Sequence, residues 1–456
     1  MSQRQSTVGF YGGVGNVTGA NFLLDTGEAA ILVDCGLIQG DRFAQTANHD
    51  PFVYDPGDID VLMVTHAHAD HIGRIPKLIR DGFVGKIYST TPTRDLANVM
   101  LRDAYKIMLY EEERYGTDRL YEDKDIDAAF SLWETCDYDE TLALPDDISA
   151  TFTDAGHILG SAMVQLERAG KKIVFTGDIG NVPQPLLNPP VVPTDYDYLV
   201  MESVYGDRLH EEVEERTELL QHYIEDTQQK DGTLIIPAFS LERTQGMLLE
   251  INNLVESGAI KPLPVFLDSP LAIRVTEMYR RYTNYLKDDV QEQIAGGDDI
   301  FAFTGLSFTP SVKDSLEIQN TKGAKIIIAG SGMSHGGRIL GHEKRYLEEK
   351  NTTLLLVGYQ SVGSLGRLLH DGAKKVKIDG EDVQVRAQVA RIRGFSGHAD
   401  RDQLVGLVAE GGEKAKQVFV TMGEERSSLF LVQRLRDYLG LNAMAPSLDE
   451  EIEIDF

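Results

Sequence analysis

Three imidazoles and a carboxylate fall within six residues, His66-Ala67-His68-Ala69-Asp70-His71. They stand where the apolar run Val61-Leu62-Met63-Val64-Thr65 gives way to Ile72-Gly73-Arg74-Ile75-Pro76. Packing does not explain such a cluster at the end of an apolar strand. Metal does, because imidazole nitrogen and carboxylate oxygen suit Zn2+ and its neighbours. The chain has 11 histidines in 456 residues, so three in six positions is not an ordinary polar surface loop. Asp70 and His71 are adjacent, and their side chains must diverge. One short loop can therefore serve two metal centres.

The length bounds the chain at about two or three domains. An apolar fraction of 42% supports sizeable cores. No stretch approaches the roughly 18 uninterrupted apolar residues of a membrane-spanning helix, and Met1 to Thr7 has no apolar signal core. Cys35 and Cys136 are too few for a disulfide scaffold. The expectation is a reduced, cytoplasmic protein with no membrane partner. The net charge of −28, from 72 acidic and 44 basic residues, argues against non-specific nucleic-acid binding. It leaves room for a nuclease with a small basic groove on an acidic body.

Strands and helices alternate along the chain. Val8–Tyr11, Asn21–Leu24 and Ala30–Asp34 read as short strands, and Gly12–Gly15 as a tight turn, since it lacks both GxGxxG and a Walker lysine. Arg74–Asp81 and Arg94–Tyr115 read as helices, and Ile87–Thr90, Ile148–Thr153 and Lys172–Thr176 as strands. A second block begins near Gly206. It has helices at Glu211–Gln229 and Arg243–Glu256 and buried-type strands at Gly232–Pro237, Val265–Asp268, Lys325–Ala329 and Thr353–Gly358. That rhythm predicts a parallel-sheet domain of its own. From about Ala373 the alternating stretch Val383–Ile392 resumes the β character of the start. One more helix and strand follow, Gln403–Ala409 and Gln417–Thr421, and Glu450–Phe456 reads as an acidic tail.

Three further polar residues end apolar strands beside glycine: Asp34 in Val33-Asp34-Cys35-Gly36, His157 in Gly156-His157-Ile158-Leu159-Gly160, and Asp178 in Thr176-Gly177-Asp178. Strand ends are where a layered α/β fold presents functional groups. Together with residues 66–71 these three supply a di-metal shell.

The ordered series Asp34, His66 to His71, His157 and Asp178 resembles the first four motifs of the metallo-β-lactamase fold. Glu202, in Met201-Glu202-Ser203-Val204-Tyr205-Gly206-Asp207, and His398, in Gly394-Phe395-Ser396-Gly397-His398-Ala399-Asp400, resemble motifs of its β-CASP nuclease branch. The resemblance implies an α/β protein: a four-layer αββα lactamase domain with a parallel-sheet β-CASP domain inserted between its halves. The expected boundaries are 1–205 for the first lactamase part, 206–372 for the β-CASP domain and 373–456 for the C-terminal lactamase part. It also implies roles. His66, His68 and His157 would hold a first zinc, Asp70 and His71 would serve a second (Mn2+ being an alternative there), and Asp178 would bridge. Asp34 would orient a ligand imidazole. Asp70, Glu202 and His398 would be catalytic, with His398 protonating the leaving 3′ oxygen and Glu202 as its partner.

One position departs from the family pattern. Its third motif places a histidine after a valine-rich strand, where this chain reads Val418-Phe419-Val420-Thr421-Met422-Gly423-Glu424. Met422 stands at the ligand place, and a thioether is a poor ligand for Zn2+. A weaker second site is expected. His335 is expected as a phosphate contact or solvent-facing loop residue rather than as a replacement ligand.

Substrate contacts are expected in the second block. Ser331-Gly332-Met333 and Gly336-Gly337-Arg338 follow an apolar strand, and small residues let backbone N–H groups approach phosphate oxygens. Arg338 and Arg367 would clamp phosphates, Tyr359 would stack a base, and Arg243 lies in a segment resembling one beside the β-CASP cleft. The leading reading is a zinc-dependent ribonuclease cutting single-stranded RNA as an endonuclease, with 5′-exonuclease activity as a second mode. The alternatives are a DNA nuclease of the same branch, a hydrolase of small thioesters or lactams, and an RNA-binding pseudo-nuclease. A homodimer is compatible with the sequence.

Overall fold

The computed structural model describes residues 5–40, 46–210, 213–358, 360 and 363–456. It divides into two compact units. One comprises Met1–Val182, Pro189–Leu209 and His398–Phe456, the other Pro183–Asn188 and His210–Gly397.

The first unit is built on two seven-stranded sheets. One contains β1 (Ser6–Phe10), β2 (Phe22–Asp25), β3 (Ala30–Val33), β4 (Val61–Met63), β5 (Lys86–Ser89), β6 (Trp133–Thr135) and, at its far edge beside β1, β22 (Glu450–Ile454). The other runs β21-β20-β11-β10-β9-β8-β7, from β7 (Thr141–Ala143), β8 (Ser149–Asp154), β9 (Ala162–Arg168), β10 (Lys171–Phe175), β11 (Tyr198–Met201), β20 (Gln417–Val420) and β21 (Ala443–Met444). Their inner faces share one apolar core. Phe10 lies 5.2 Å from Phe419 and Phe22 6.3 Å from Phe175, ring centre to ring centre. The second sheet's other face packs Val174, Leu199 and Val418 against Leu404 and Leu407 of helix Arg401–Gly411 and Leu431 and Leu435 of helix Glu425–Leu439. Helices Ile75–Arg80, Thr91–Tyr115 and Asp123–Leu132 belong with the first sheet. The layers are therefore α, β, β, α, as the resemblance implied.

The second unit carries an all-parallel sheet in the order β14-β13-β15-β12-β16-β19. Its strands are β12 (Thr233–Pro237), β13 (Val265–Leu267), β14 (Leu306–Phe308), β15 (Lys325–Ala329), β16 (Thr352–Val357) and β19 (Gln388–Ile392). The central ones are buried along their whole length, which is why they read as unbroken apolar runs. A hairpin of β17 (Lys375–Ile378) and β18 (Glu381–Gln384) packs Val376, Ile378 and Val383 into the same core as Ile339 and Leu369.

Three differences from the sequence reading stand out. Residues 373–397, expected in the first domain, belong to the second unit, where β19 closes the edge of the parallel sheet beside β16. The alternation that looked like a return to the opening sheet is that of an edge strand, half-exposed for another reason. Glu450–Ile454 is no tail: it pairs antiparallel with β1 and buries Ile454 beneath the sheet, with Glu451 and Glu453 facing out. Helix Glu425–Leu439 and strand β9 were not read at all. Among the described residues no helix is long and apolar enough to cross a membrane.

Candidate active site

Every expected metal-shell residue lies in the first unit at or just beyond the end of one of its strands, as does Glu202, while His398 stands shortly before helix Arg401–Gly411. Residues 64–68 leave β4 without regular structure, and Ala69–Ile72 then forms a single helical turn. That change of backbone splays His66, His68 and His71. His157 follows β8 on a turn in which Ser161 Oγ accepts from the backbone N–H of His157 and Ile158, at 3.0 and 3.2 Å. Asp178 follows β10. Gly177 before it holds φ 53°, and a Cβ there would sit 2.7 Å from the Cβ of Thr65, so glycine lets this strand end close on the histidine loop.

His66, His68, His157 and Asp178 each present a ligand atom, all within 4.8 Å of one another. His66 Nε2 lies 3.1 Å from His68 Nδ1, and His157 Nε2 3.2 Å from the same atom. Asp178 Oδ2 lies 3.4 Å from His66 Nε2 and 3.5 Å from His157 Nε2. Four ligands at roughly 2.0–2.1 Å from a tetrahedral ion are separated from one another by about 3.3 Å, so the spacing is that of a coordination shell. Burial, with the neighbouring imidazoles adding to it, holds His66 below the usual histidine range and His68 well below. Neutral imidazoles are what a cation requires.

The tautomers are fixed from outside. Asp34, on a left-handed backbone of φ 60° at the end of β3, accepts the Thr65 N–H at 2.8 Å and the Thr65 hydroxyl at 2.7 Å. Thr65 Oγ1 is then the acceptor for His66 Nδ1 at 3.0 Å, which leaves the Nε2 lone pair of His66 facing the cluster. Asp34 also takes His71 Nδ1 at 2.7 Å. His71 Nε2 and Asp178 Oδ1, 3.4 Å apart, are both buried without a hydrogen-bond partner. Burial pulls His71 down, but Asp178 and Asp34 outweigh it and hold the ring well above the usual range. Asp178 is held well below the carboxylate range: burial opposes this, and His71, His398 and His66 overcome it. Asp178 Oδ1 calls for a positive charge, and a cation could take the place of the proton on His71 Nε2. Burial raises Asp70, opposed by His71.

His398 adjoins the same carboxylate. Its Nδ1 is 3.2 Å from Glu202 Oε1 and 3.9 Å from Asp178 Oδ2, and its ring centre is 4.6 Å from that of His157. Glu202 is held in turn by the Ile179 N–H at 2.6 Å. Burial raises its carboxyl, opposed by His398. Thr65 and Ser161 were missed in the sequence. A hydroxyl beside a ligand has no spacing signature of its own.

Met422 stands just past the end of β20. It is 2% exposed in the core between the two sheets, its N–H donates to Gly13 O at 2.6 Å, and a Cβ on Gly13 would stand 2.4 Å from its sulfur. Its thioether fills a core position against the glycine turn.

The expected substrate residues lie in the second unit, at the C-terminal ends of its parallel strands, the edge where α/β sheets bind ligands. The loop 331–337 after β15 is knotted on itself: Ser331 Oγ accepts the N–H of His335 at 2.9 Å and of Gly336 at 3.3 Å. Those two donors are committed to Ser331 rather than offered to phosphate. Gly332 O accepts from Gln360 and Met333 O from Gly366. Burial lowers His335 from the usual range. Arg338 is a correction. Its guanidinium binds Asp268 at 2.7 Å and the carbonyls of Thr309 and Pro310, so it braces the sheet edge instead of clamping a phosphate. Arg367 pairs with Asp371 at 2.9 Å on the surface. The Arg243 guanidinium lies 4.8 Å from the Phe239 ring centre, and its Nε reaches Phe395 O at 3.4 Å. Gly337 follows the knotted segment with φ 78°. Tyr359 lies outside the described residues.

Comparison with known proteins agrees with this architecture. Three family models match: a metallo-beta-lactamase superfamily domain over residues 23–190, a Beta-Casp domain over 244–369 and a Zn-dependent metallo-hydrolase RNA specificity domain over 382–446. Ribonuclease TTHA0252 of Thermus thermophilus is 36% identical, over 92% of this chain and 94% of its own. An RNase J-like protein of Methanocaldococcus jannaschii is 32% identical over 96% and 97%. The transcription termination factor FttA of Pyrococcus abyssi is 32% identical over 96% of this chain and 69% of its own. A crystal structure of a protein of unknown function from Enterococcus faecalis shares the fold, with a TM-score of 0.55 at 12% identity over 99% and 100% of the two chains. The chain thus belongs to the β-CASP nuclease family of the metallo-β-lactamase superfamily.

Proposed function

We propose that the chain is a metal-dependent ribonuclease that hydrolyses phosphodiester bonds of single-stranded RNA, as an endonuclease with a 5′-exonuclease mode. The observation that carries the reading is that Asp178 faces both the three-histidine cluster and the His398–Glu202 pair. An ion-binding cluster and a proton donor then meet at one carboxylate. The ribonuclease relative, matched over nearly the whole of both chains, supports RNA as substrate.

In this reading His66, His68 and His157 would hold one divalent ion, Asp70 and His71 would serve a second, and Asp178 would help to hold them. Zinc fits the nitrogen-rich donors best, with Mn2+ an alternative at the second position. Bound there, divalent ions supply an acidified water and neutralise charge on the phosphate oxygens. The chain's own work is positional and acid–base. Asp34 fixes the His71 and His66 rings through Nδ1 and Thr65. Glu202 engages His398 Nδ1 and, as a carboxylate partner, favours the imidazolium, whose Nε2–H would be delivered to the leaving 3′ oxygen. Asp70 adds a second carboxylate to hold positive charge beside the attacked phosphate.

The second metal position is the weaker one. Asp70, His71 and Asp178 would serve it without a third-motif histidine, because Met422 stands in that place and a thioether is a poor ligand for Zn2+. Met422 also favours a second reading, DNA as substrate, since DNA-processing members of the branch lack the histidine too. Elemental analysis tests the account of this position: Met422→His should raise the content of the second ion, and an unchanged content would refute it. His68→Ala should abolish tight binding of the first ion together with cutting of labelled single-stranded RNA; a variant that still cuts at the wild-type rate would put the chemistry elsewhere.

A further inference from the structure

Glu343 is a fully buried carboxyl that the chemistry above does not use. It sits on helix Ile339–Tyr346, whose neighbouring inward residues Ile339 and Tyr346 are core residues. Its Oε1 accepts the hydroxyl of Ser334, and its Oε2 is buried with no hydrogen-bond partner among the described residues. A carboxyl so poorly satisfied is costly where a leucine or methionine would pack. Ser334 is 2% exposed and holds φ 56°, a left-handed conformation that serine adopts rarely. It is the midpoint of the 331–337 loop, between Ser331 and the N–H groups of His335 and Gly336 that close on it.

Ser331 Oγ accepts two backbone N–H groups, so its own proton is left for another acceptor. The loop works as a mount that aims one hydroxyl and the His335 ring. Gln360 and Gly366 hold it from one side through the carbonyls of Gly332 and Met333. Ser334 ties it by a side chain to the helix that follows it, and Glu343 is where that tie ends.

We propose that Glu343 is a positioning residue for RNA: by holding Ser334 it fixes the loop that presents Ser331 and His335, and it acts on substrate affinity rather than on bond cleavage. The inference rests on the ribonuclease reading. Burial pushes the Glu343 carboxyl up to about 7, so its neutral form, which glutamine mimics, is well populated near neutral pH.

The test is steady-state cleavage of a labelled single-stranded RNA by the metal-loaded full chain. Glu343→Ala and Ser334→Ala should each raise KM about tenfold, the worth of one lost hydrogen bond, and leave kcat within about twofold. The double variant should be no worse than either single one, and Glu343→Gln should restore KM. Ser331→Ala serves as control. If it raises KM while Glu343→Ala and Ser334→Ala do not, the positioning role is wrong and the ribonuclease reading stands. Multiplying single effects, a loss confined to kcat, or failure of Glu343→Gln to restore KM would also overturn it. If the wild type does not cut RNA, the reading itself falls, and the positioning role with it. Should thermal melting show Glu343→Ala unfolded, Ser334→Ala against Glu343→Gln decides.

Discussion

Asp178 touches each part of the site, and its surroundings show what single residues did and did not reveal. The histidines at 66, 68 and 71 were legible because three rare residues in six positions need a reason. His157 and Asp178 were legible as polar strand ends beside glycine. The hydroxyls that set the tautomers, Thr65 and Ser161, were not, since nothing in a sequence distinguishes a threonine that orients an imidazole from one that merely ends a strand. Arg338 misled for a related reason. An arginine after a glycine turn reads as a phosphate clamp, but the carboxylate that claims it, Asp268, is 70 positions away. His398 gives the sharpest prediction at this scale. With Nδ1 on Glu202, it can donate only through Nε2. His398→Ala should lower kcat on RNA by about 10^2- to 10^4-fold, the usual share of general acid catalysis, with little change in KM. An unchanged kcat in steady-state assays would remove it from the mechanism.

Elements were legible where they are buried on both sides and obscure where pairing is remote. The four inner strands of the second unit's parallel sheet announced themselves as apolar runs. β22 did not, because alternating glutamate and isoleucine reads as an acidic tail until β1, more than 400 residues earlier, supplies its partner. If β22 is part of the core, Ile454→Ala should cost about 2–5 kcal/mol, as for other buried isoleucines, measured by urea unfolding of the first transition to involve the lactamase sheets. A tail would give no change. The turn before helix Arg243–Glu256 makes a second prediction. Burial pushes the Glu242 carboxyl up to about 8, with Tyr279 and Arg243 opposing. A carboxyl raised in the folded state favours folding most below its ordinary value of 4.5, and that contribution is lost as pH rises toward 8. Melting temperature should therefore fall across this window, and Glu242→Gln should flatten the fall. Asp268 has the opposite sign. Burial would raise it, but bonds from His342, Ser315, Arg338 and Thr309 hold it at about 2, so its contribution is lost only as pH drops below 3.8. A slope unaffected by Glu242→Gln would place the pH dependence elsewhere.

At the scale of the whole molecule, a net charge of −28 made nucleic acid an unexpected partner, and only the ordered motifs overrode it. Charge summed over a chain says little about a site where clustered imidazoles and buried carboxylates set the local field. The same ordering gave the inserted architecture, while the junction fell 25 residues late, between Gly397 and His398, because an edge strand looks alike in either sheet. The second unit therefore ends directly before the residue assigned the proton donor. The central claim is that the histidine cluster cuts RNA. The measurement that bears on it most directly is the initial rate at which the zinc-loaded chain cleaves single-stranded RNA and DNA of one sequence. The account predicts that RNA is cut and DNA is cut more slowly or not at all; DNA cut as fast as RNA, or RNA left intact, would contradict it.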